Sequence, residues 1–363
     1  MEPIKVLVVD DSAFMRKLIT GFLEEDSRTM VAGTARNGKE ALQKVKELKP
    51  DVVTLDIEMP LMDGLDALKM IMEACPVPCI MLSSTTTAGA DNTMKAIELG
   101  AFDFVPKPSG PISLDLEKVK SSLLDKVAEA ARMDVKQLMR ARARGRRQTQ
   151  YPGPQTTVIP KNDKPFAGIK KVICIGTSTG GPGALQHVLS SLPEDIGVPI
   201  LIVQHMPEGF TASLAKRLNS LSRIIVKEAE DGELLQKGTA YIAPGGFHLT
   251  VRKAGLSLAA VLSREKPRQG HRPSVDVLFE SLAEQQEYAK IAVIMTGMGH
   301  DGSKGLQALK NSGRLIAIAE SKESSVVFGM PKAAIATGLV DRVENVDNIA
   351  SAVIYFSKNQ ALL

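Results

Sequence analysis

The chain has 363 residues, of which 44% are hydrophobic and 24% charged, and its formal net charge is +4. This length suggests two or three domains, and the composition is that of a globular protein with substantial cores. The small net charge gives no argument for nucleic-acid binding, and the three cysteines show no metal-type spacing. No apolar run reaches the ~18 residues of a membrane span, and the N-terminus enters a strand without a signal peptide. We therefore expect a cytoplasmic protein that is not embedded in a membrane.

Residues 1–122 alternate apolar runs with helical patterns five times. The apolar runs lie at Val6–Val9, Met30–Ala32, Val52–Leu55, Cys79–Leu82 and Phe102–Val105. Helices between successive strands are typical of parallel sheets that are covered on both faces. The sequence therefore predicts an α/β domain with a doubly wound five-stranded parallel sheet.

Polar side chains follow the strands of this first domain. Asp10 and Asp11 end the first strand, Asp56 the third and Ser83 the fourth, while Lys107 follows the fifth. Ligands bind where the carboxyl ends of parallel strands meet. Three carboxylates gathered there repel one another and require a cation. A site made of oxygen ligands alone favours Mg²⁺. Asp56 could then be a nucleophile toward phosphorus, with Lys107 and Ser83 bonding to phosphate oxygens. For any single carboxylate here, a helix cap is the simpler interpretation.

Residues 123–168 separate two α/β regions. We expect one helix over about 113–140, then the arginine cluster Arg140–Arg147, then a linker with four prolines over 148–168. The arginines could bind an acidic partner, or they could be a solvated helix end that leads into a flexible tether.

Residues 169–363 alternate strands and helices again, which predicts a second doubly wound α/β domain. Strands are expected at Val172–Ile175, Ile200–Val203, Ile224–Val226, Ala240–Ile242, Leu256–Leu262, Ile291–Met295 and Leu315–Ala319. The strands over 224–262 are expected to form a β-rich insertion.

A glycine-rich turn follows the first strand of this second domain and carries Ser178 at its apex. The turn, Gly176-Thr-Ser-Thr-Gly-Gly181, suits either a serine nucleophile or a phosphate. A dinucleotide fingerprint needs a second glycine where Ser178 stands and an acidic residue after the next strand, which instead ends in Gln204-His205. Both criteria fail, so the nucleophile is favoured.

A serine nucleophile needs a base and a carboxylate that orients the base. Of the five histidines, His205 alone ends a neighbouring strand at the same edge. Asp301 lies among three glycines in Thr296-Gly-Met-Gly-His-Asp-Gly302, although it could equally cap the next helix. Backbone N–H groups of Thr179 and Met298 are candidate donors to an oxyanion. Acyl transfer by such a triad needs no cofactor.

Two sets of motifs resemble known families. Val8-Val-Asp-Asp11, Leu55-Asp-Ile-Glu-Met-Pro60 and Phe104-Val-Pro-Lys-Pro108 resemble the receiver domain of two-component response regulators. This resemblance implies Asp56 as phosphoacceptor, Asp10 and Asp11 as Mg²⁺ residues, and Ser83 and Phe104, together with Lys107, as switch residues.

Motifs of the second domain resemble the chemotaxis protein-glutamate methylesterase/glutaminase family. They are Gly176–Pro182, Val203-Gln-His-Met-Pro207, Arg272-Pro-Ser-Val-Asp276, Thr296–Gly302 and Val327-Phe-Gly-Met-Pro331. The resemblance implies Ser178 as nucleophile, His205 as base and Asp301 as orienting carboxylate. It further implies chemoreceptor cytoplasmic helices as substrate and a chemotaxis histidine kinase as phosphodonor. A common form of the family has Asn where His300 stands. The alternative is a response regulator whose output domain only binds a partner.

Overall fold

A computed structural model describes residues 2–108, 116–140 and 169–358. Contacts divide the chain into two units, Met1–Ala143 and Arg144–Leu363. Of the arginine cluster only Arg140 lies in the described part, and the proline-rich stretch over 148–168 lies outside it. No helix among the described residues combines the length and the apolar character needed to cross a bilayer.

The first unit contains a five-stranded parallel sheet in the order β2-β1-β3-β4-β5. Its elements are β1 (Ile4–Val9), α1 (Ala13–Glu24), β2 (Thr29–Ala35), α2 (Gly38–Leu48), β3 (Val52–Asp56), α3 (Gly64–Ala74), β4 (Cys79–Ser83), α4 (Thr87–Leu99), β5 (Asp103–Pro106) and α5 (Leu116–Arg132). β3 and β4 are buried at every residue, as continuous apolar runs predict for strands covered on both faces. The predicted doubly wound receiver fold is confirmed.

Polar caps fix where the helices of this unit begin. The side chains of Ser12, Asn37, Asp63 and Thr86 each accept a hydrogen bond from a backbone N–H in the first turn of the following helix. Such caps satisfy N–H groups that have no partner within the helix. Since the caps of α1 and α3 follow the loops after β1 and β3 directly, they also hold those loops in place.

The single helix expected over about 113–140 is interrupted in the structure. α5 ends at Arg132, and residues 135–140 are helical again as α6. Asp134 starts the second helix, because its Oδ1 accepts the N–H of Lys136 at 2.9 Å and its carbonyl accepts the N–H of Gln137 at 2.8 Å. The helical periodicity continues across this point, and a capping aspartate divides it.

The second unit is built on a seven-stranded sheet in the order β14-β13-β12-β6-β7-β9-β8, in which every recorded pairing is parallel. Its elements are β6 (Lys170–Thr177), α7 (Gly181–Ser190), β7 (Ile200–Gln204), α8 (Phe210–Leu221), β8 (Ile225–Glu228), β9 (Thr239–Ile242), β10 (His248–Ala254), β11 (Ser257–Ser263), α9 (Val275–Ala283), β12 (Tyr288–Ile294), α10 (Ser303–Asn311), β13 (Leu315–Glu320), α11 (Met330–Ala336), β14 (Arg342–Glu344) and α12 (Val346–Lys358). The predicted second α/β fold is confirmed.

The β-rich insertion divides into two parts. β8 and β9 join the main sheet beside β7, whereas β10 and β11 form a separate antiparallel hairpin. The hairpin packs against α9, and the N–H of Val251 donates to Ser281 Oγ at 3.2 Å. The strands β10 and β14 have no counterpart in the sequence prediction. β14 has only three residues, and β10 mixes apolar with charged residues.

The strands that lead into the predicted site residues lie side by side at the centre of this sheet. β6 pairs with β12 on one side and with β7 on the other, with Gly176 opposite Ile294 and Thr177 opposite Gln204. Because all three strands are parallel, the loops that follow them meet at one edge.

Candidate active site and phosphoacceptor site

Three carboxylates meet at the carboxyl edge of the first sheet. Asp10, Asp11 and Asp56 each offer an oxygen, and these oxygens lie within 4.8 Å of one another. Asp10 and Asp56 are buried, and Lys107 pairs with both, its Nζ lying 3.0 Å from Asp10 Oδ2 and 2.8 Å from Asp56 Oδ2. A cluster of carboxylate oxygens without sulfur or imidazole is a donor set that suits Mg²⁺.

Burial and neighbouring charges shift the pKa values of Asp56 and Lys107. Burial raises the pKa of Asp56 to about 6, opposed by its hydrogen bond to Lys107 and supported by the charge of Asp10. Burial also works against the charge on Lys107, but the two carboxylates outweigh it and raise the pKa of Lys107. The negative charge of the three carboxylates exceeds the positive charge of the one lysine, which favours binding of a cation.

Ser83 at the end of β4 and Phe104 within β5 are both buried. The Ser83 hydroxyl donates to the carbonyl of Gly89 at 3.1 Å and accepts from Thr93 Oγ1 at 2.7 Å. These bonds tie Ser83 to α4, so a bond from its hydroxyl to a phosphate oxygen would require the hydroxyl to exchange partners. The neighbouring Ser84 hydroxyl instead lies 3.1 Å from Thr86 Oγ1, at the start of α4.

In the second unit, the sheet brings Ser178 next to His205. The two residues directly follow the paired positions Thr177 and Gln204, and the N–H of His205 continues the ladder to the carbonyl of Thr177 at 3.1 Å. Neighbouring strands lie ~4.8 Å apart, so these two residues occupy adjacent positions at the edge. Gln204 also holds the turn that carries Ser178, since its Nε2 donates to the Ser178 carbonyl at 2.9 Å.

His205 forms a buried pair with Asp301. Its Nε2 lies 2.8 Å from Asp301 Oδ2, and the two side chains are 7% and 1% exposed. A nitrogen facing a carboxylate carries the proton, so the neutral imidazole keeps its lone pair on Nδ1. The Nδ1 atom is buried and has no hydrogen-bond partner among the described residues. It is thus the nitrogen available to accept a proton.

Asp301 is fixed by four further hydrogen bonds. Its Oδ1 accepts from Ser274 Oγ and from the N–H groups of Asp276 and Gly302, and its Oδ2 accepts from the N–H of Val275. Burial alone would raise the pKa of Asp301, but the hydrogen bond from His205 and those from the start of α9 outweigh it and lower the pKa. A carboxylate that stays ionised in this way can orient the histidine and stabilise its protonated form.

Glycine allows the loop after β12 to pass close to Ser178. A Cβ on Gly297 would lie 2.7 Å from Ser178 Cβ, which no side chain permits. The N–H of Ser178 donates to the Thr296 carbonyl at 3.0 Å. The candidate oxyanion donor Met298 stands next in this loop, and its N–H has no acceptor within the described ranges. The other candidate, Thr179, is buried, and its carbonyl accepts from Thr296 Oγ1 at 2.9 Å.

Several residues around the site were not predicted from the sequence. Ser274 and Asp276 bind the Asp301 loop, Glu320 accepts the Thr296 N–H at 2.7 Å, and the ring of His271 stacks on that of His205. The motif Arg272-Pro-Ser-Val-Asp276 signals their neighbourhood, but its residues are remote in sequence from Asp301, so their contacts follow only from the fold.

The other histidines have separate surroundings. His187 on α7 lies 2.9 Å from Asp347, and His248 is buried, with its Nε2 3.2 Å from the carbonyl of Lys266. His300 is exposed. These positions leave His205 as the histidine that combines the right strand end with a buried carboxylate partner.

The sequence matches two family models, the CheB methylesterase over residues 173–353 and the response regulator receiver domain over residues 6–117. Named relatives are protein-glutamate methylesterase/protein-glutamine glutaminase proteins. The one from Halalkalibacterium halodurans is 57% identical, covering 97% of both chains, and that from Bacillus subtilis is 52% identical, covering 96% of this chain and 97% of its own.

Solved structures match each unit separately. The Thermotoga maritima CheB methylesterase catalytic domain is 45% identical and covers 51% of this chain and 98% of its own, with a TM-score of 0.49. The response regulator domain of Thermotoga maritima CheB is 47% identical and covers 37% of this chain and 99% of its own, with a TM-score of 0.34. The 57% identity over 97% of both chains, together with the matches to both family models, assigns this chain to the CheB methylesterase family, in the form that carries an N-terminal receiver domain.

Proposed function

We propose that this protein hydrolyses γ-glutamyl methyl esters, and deamidates glutamines, on the cytoplasmic helices of chemoreceptors, and that phosphorylation of its receiver activates it. The reaction adjusts receptors during adaptation in chemotaxis. Family membership supports the reaction type. The observation that carries the chemistry is the buried pair of His205 Nε2 and Asp301 Oδ2 at 2.8 Å, beside Ser178 at the same sheet edge. We place the reaction in the cytoplasm, where the receptor helices are.

The mechanism begins with Ser178. Its Oγ attacks the ester carbonyl while His205 Nδ1 takes the hydroxyl proton, and Asp301 stabilises the resulting imidazolium. Negative charge develops on the carbonyl oxygen, where the N–H groups of Thr179 and Met298 are the proposed donors. Each such donor contributes about 3 kcal/mol to the transition state.

Collapse of the tetrahedral intermediate breaks the bond to the methoxy group. His205 returns its proton to that oxygen, and methanol leaves while the glutamyl carbonyl stays esterified to Ser178. Water then attacks the acyl-enzyme and gives a proton to His205, which passes it to Ser178 Oγ as the product glutamate is released. With a glutamine substrate the same steps release ammonia instead of methanol.

The receiver supplies regulation. We propose that Asp56 accepts a phosphoryl group from a chemotaxis histidine kinase, with Lys107 pairing with a phosphate oxygen. Asp10, Asp11 and Asp56 would hold Mg²⁺, which supplies charge neutralisation for the incoming phosphoryl group. Ser83 and Phe104 are the proposed switch residues, and the Ser83 hydroxyl would leave its bonds to α4 as the phosphoryl group arrives.

The central experiment measures methanol release from methylated receptor membranes, with and without a phosphodonor. The wild type should release methanol, more quickly when phosphorylated, and Ser178→Ala should release none. The alternative of an output domain that only binds predicts no methanol release by either protein, and that result would end the proposal.

A second experiment addresses the phosphoacceptor. Acetyl phosphate with Mg²⁺ should label Asp56, and borohydride trapping followed by mass spectrometry identifies the labelled residue. Asp56→Asn or removal of Mg²⁺ with EDTA should abolish both the label and the activation. Label on a different aspartate would overturn the assignment.

A further inference from the structure

The imidazole of His271 lies flat against that of His205. The ring centroids are 3.9 Å apart and the planes differ by 5°. His205 is therefore held at two places, at its edge by Asp301 and on its face by a second imidazole. A hydrogen bond at one nitrogen leaves a ring free to tilt about that bond, whereas a stacked neighbour also fixes the plane of the ring.

His271 is itself held firmly. Its N–H and carbonyl each bond to the backbone of Arg268, at 2.9 and 3.0 Å, which closes a short turn. The Arg268 guanidinium then forms two hydrogen bonds to Glu280 on α9, at 2.7 and 3.1 Å. Since the N–H groups at the start of α9 also bind Asp301, this one helix anchors both supports of His205.

The surroundings of His271 favour its neutral form, which suits a ring that stacks on His205. Burial, and then the nearby His205, lower the pKa of His271 to about 4. Asp301 opposes this shift and His300 adds to it. Further charged groups of the loop and its neighbours are Asp276, the Arg268–Glu280 pair, Arg264, Glu265, Lys266 and Arg272. His271 is thus neutral near pH 7, and the imidazolium formed on His205 faces an uncharged ring instead of a second cation.

We propose that His271 is a positioning residue, which fixes the ring plane of His205 so that Nδ1 faces the Ser178 hydroxyl. This inference rests on the proposed function for its kinetic consequence, but not for its structural one. It assigns His271 no proton transfer, and any flat uncharged ring at position 271 should serve.

The kinetic test compares His271→Phe with His271→Ala in the full-length protein. We expect His271→Ala to lower kcat by about 10- to 100-fold, because a small misplacement of a reacting group has effects of this size. KM should stay within about 2-fold in the same variant, since the ring is not assigned a contact with substrate. His271→Phe should keep most of the wild-type kcat, and His187→Ala, remote on α7, is the matched control.

A readout independent of activity uses ¹⁵N-labelled histidine. The chain has five histidines, so the His205 signals can be assigned by substitution. We expect the proton on Nε2 in all three proteins, because the contact with Asp301 is kept. The His205 ring signals should be sharp in the wild type and in His271→Phe, and broadened by exchange in His271→Ala, where the ring plane is no longer fixed. Circular dichroism confirms that each variant is folded.

The outcomes separate the two hypotheses. A wild type that releases no methanol would contradict the proposed function, while the line widths of the His205 ring signals would still test the stack. Wild-type kcat together with sharp His205 ring signals in His271→Ala would overturn the inference. So would a loss in His271→Phe as large as that in His271→Ala, because the ring would then not be what matters.

Discussion

At the scale of single residues, the proposed catalytic chemistry depends on which nitrogen of His205 faces which partner. Asp301 forms a hydrogen bond with Nε2, so Nδ1 is the nitrogen that can accept the proton of Ser178 in the proposed reaction. Against the effect of burial, the hydrogen bond from His205, followed by those from the backbone N–H groups around it, lowers the pKa of Asp301 and keeps the carboxylate ionised. The proposed base is therefore held at Nε2, and its tautomer follows from that contact.

Removing any member of the triad should remove most of the activity. We expect Ser178→Ala, His205→Ala and Asp301→Ala each to lower kcat by about 10³-fold or more, and the double variants to lose little beyond that, because residues that act as one unit are strongly non-additive. Initial rates of methanol release measure both effects.

His300→Asn is the control for the assignment of the base. His300 is exposed beside Asp301, and its replacement should keep much of the rate. An active His205→Ala protein together with an inactive His300→Asn protein would show that the base is assigned wrongly.

Lys290 is a second residue at this scale, and its buried surroundings determine how its charge affects the stability of the fold. Its side chain on β12 is fully buried, and its Nζ has a 3.3 Å hydrogen bond to Ser312 Oγ. Burial lowers the pKa of Lys290, so the native state binds its proton less tightly than the unfolded chain does. The charge therefore costs stability at neutral pH.

Lys290→Met should raise the free energy of unfolding by about 1 kcal/mol or more at pH 7. The gain should be absent above the pKa of an unfolded lysine, ~10.4, and should develop as the pH falls below it. Urea unfolding at several pH values tests this, with Lys216→Met on the exposed face of α8 as control. Equal stability of the wild type and Lys290→Met at pH 7 would contradict the prediction.

At the scale of elements, the site depends on how the loop after β12 is fastened to its neighbours. The last residue of β13, Glu320, accepts the Thr296 N–H at 2.7 Å and the Ser324 hydroxyl at 2.9 Å. Ser324 in turn accepts the N–H of Val346, where α12 begins. The buried carboxylate thus links the loop that carries Met298 to two further elements.

Glu320→Ala should loosen this loop and leave the Thr296 N–H without its partner. We expect a destabilisation of about 1–3 kcal/mol, the cost of an unsatisfied buried donor, and a fall in kcat of about 10-fold as the proposed oxyanion donor loses its position. Urea unfolding and methanol release measure the two effects. Glu323→Ala, at an exposed position on the same connection, should change neither. An unchanged kcat in Glu320→Ala would mean that the loop keeps its geometry without this bond.

Among the elements, the long central strands can be predicted from the sequence, whereas the short or mixed strands cannot. Long apolar runs such as Val172–Ile175 predict the central strands, and residues at their ends predict the Ser178, His205 and Asp301 group. The roles of those three residues stay proposals, although the geometry is compatible with them. Short or mixed strands such as β14 and β10 escape prediction, because pairing with neighbours, not local pattern, forms them.

Contacts between residues that are distant in the sequence cannot be predicted from it either, for a related reason. Nothing local to His271 says that its ring will stack on His205, and nothing local to Glu320 says that it will accept the Thr296 N–H. Both contacts require the order of strands in the sheet. A motif such as Arg272–Asp276 marks the neighbourhood, but the partner of each residue is fixed by tertiary structure.

At the scale of the whole molecule, a receiver and a hydrolase share one chain and are joined by residues 123–168 of the proposed domain organisation. A tether raises the effective concentration of one unit near the other without any new contact. We expect the unphosphorylated receiver to lower the hydrolase rate and phosphorylation to relieve this effect, as a shift between two populations. The receiver would then act as an inhibitor that its own chemistry switches off.

Cutting the chain near Gly153 tests this expectation. The released fragment, about 154–363, should hydrolyse methylated receptor membranes faster than the unphosphorylated intact protein, because the effective concentration of the receiver is lost with the tether. The phosphorylated intact protein should match or exceed the fragment if the receiver also helps to engage the receptor. Initial rates of all three species on the same membranes decide the matter. A fragment slower than the unphosphorylated protein would mean that the receiver only activates, because removing an inhibitor cannot lower the rate.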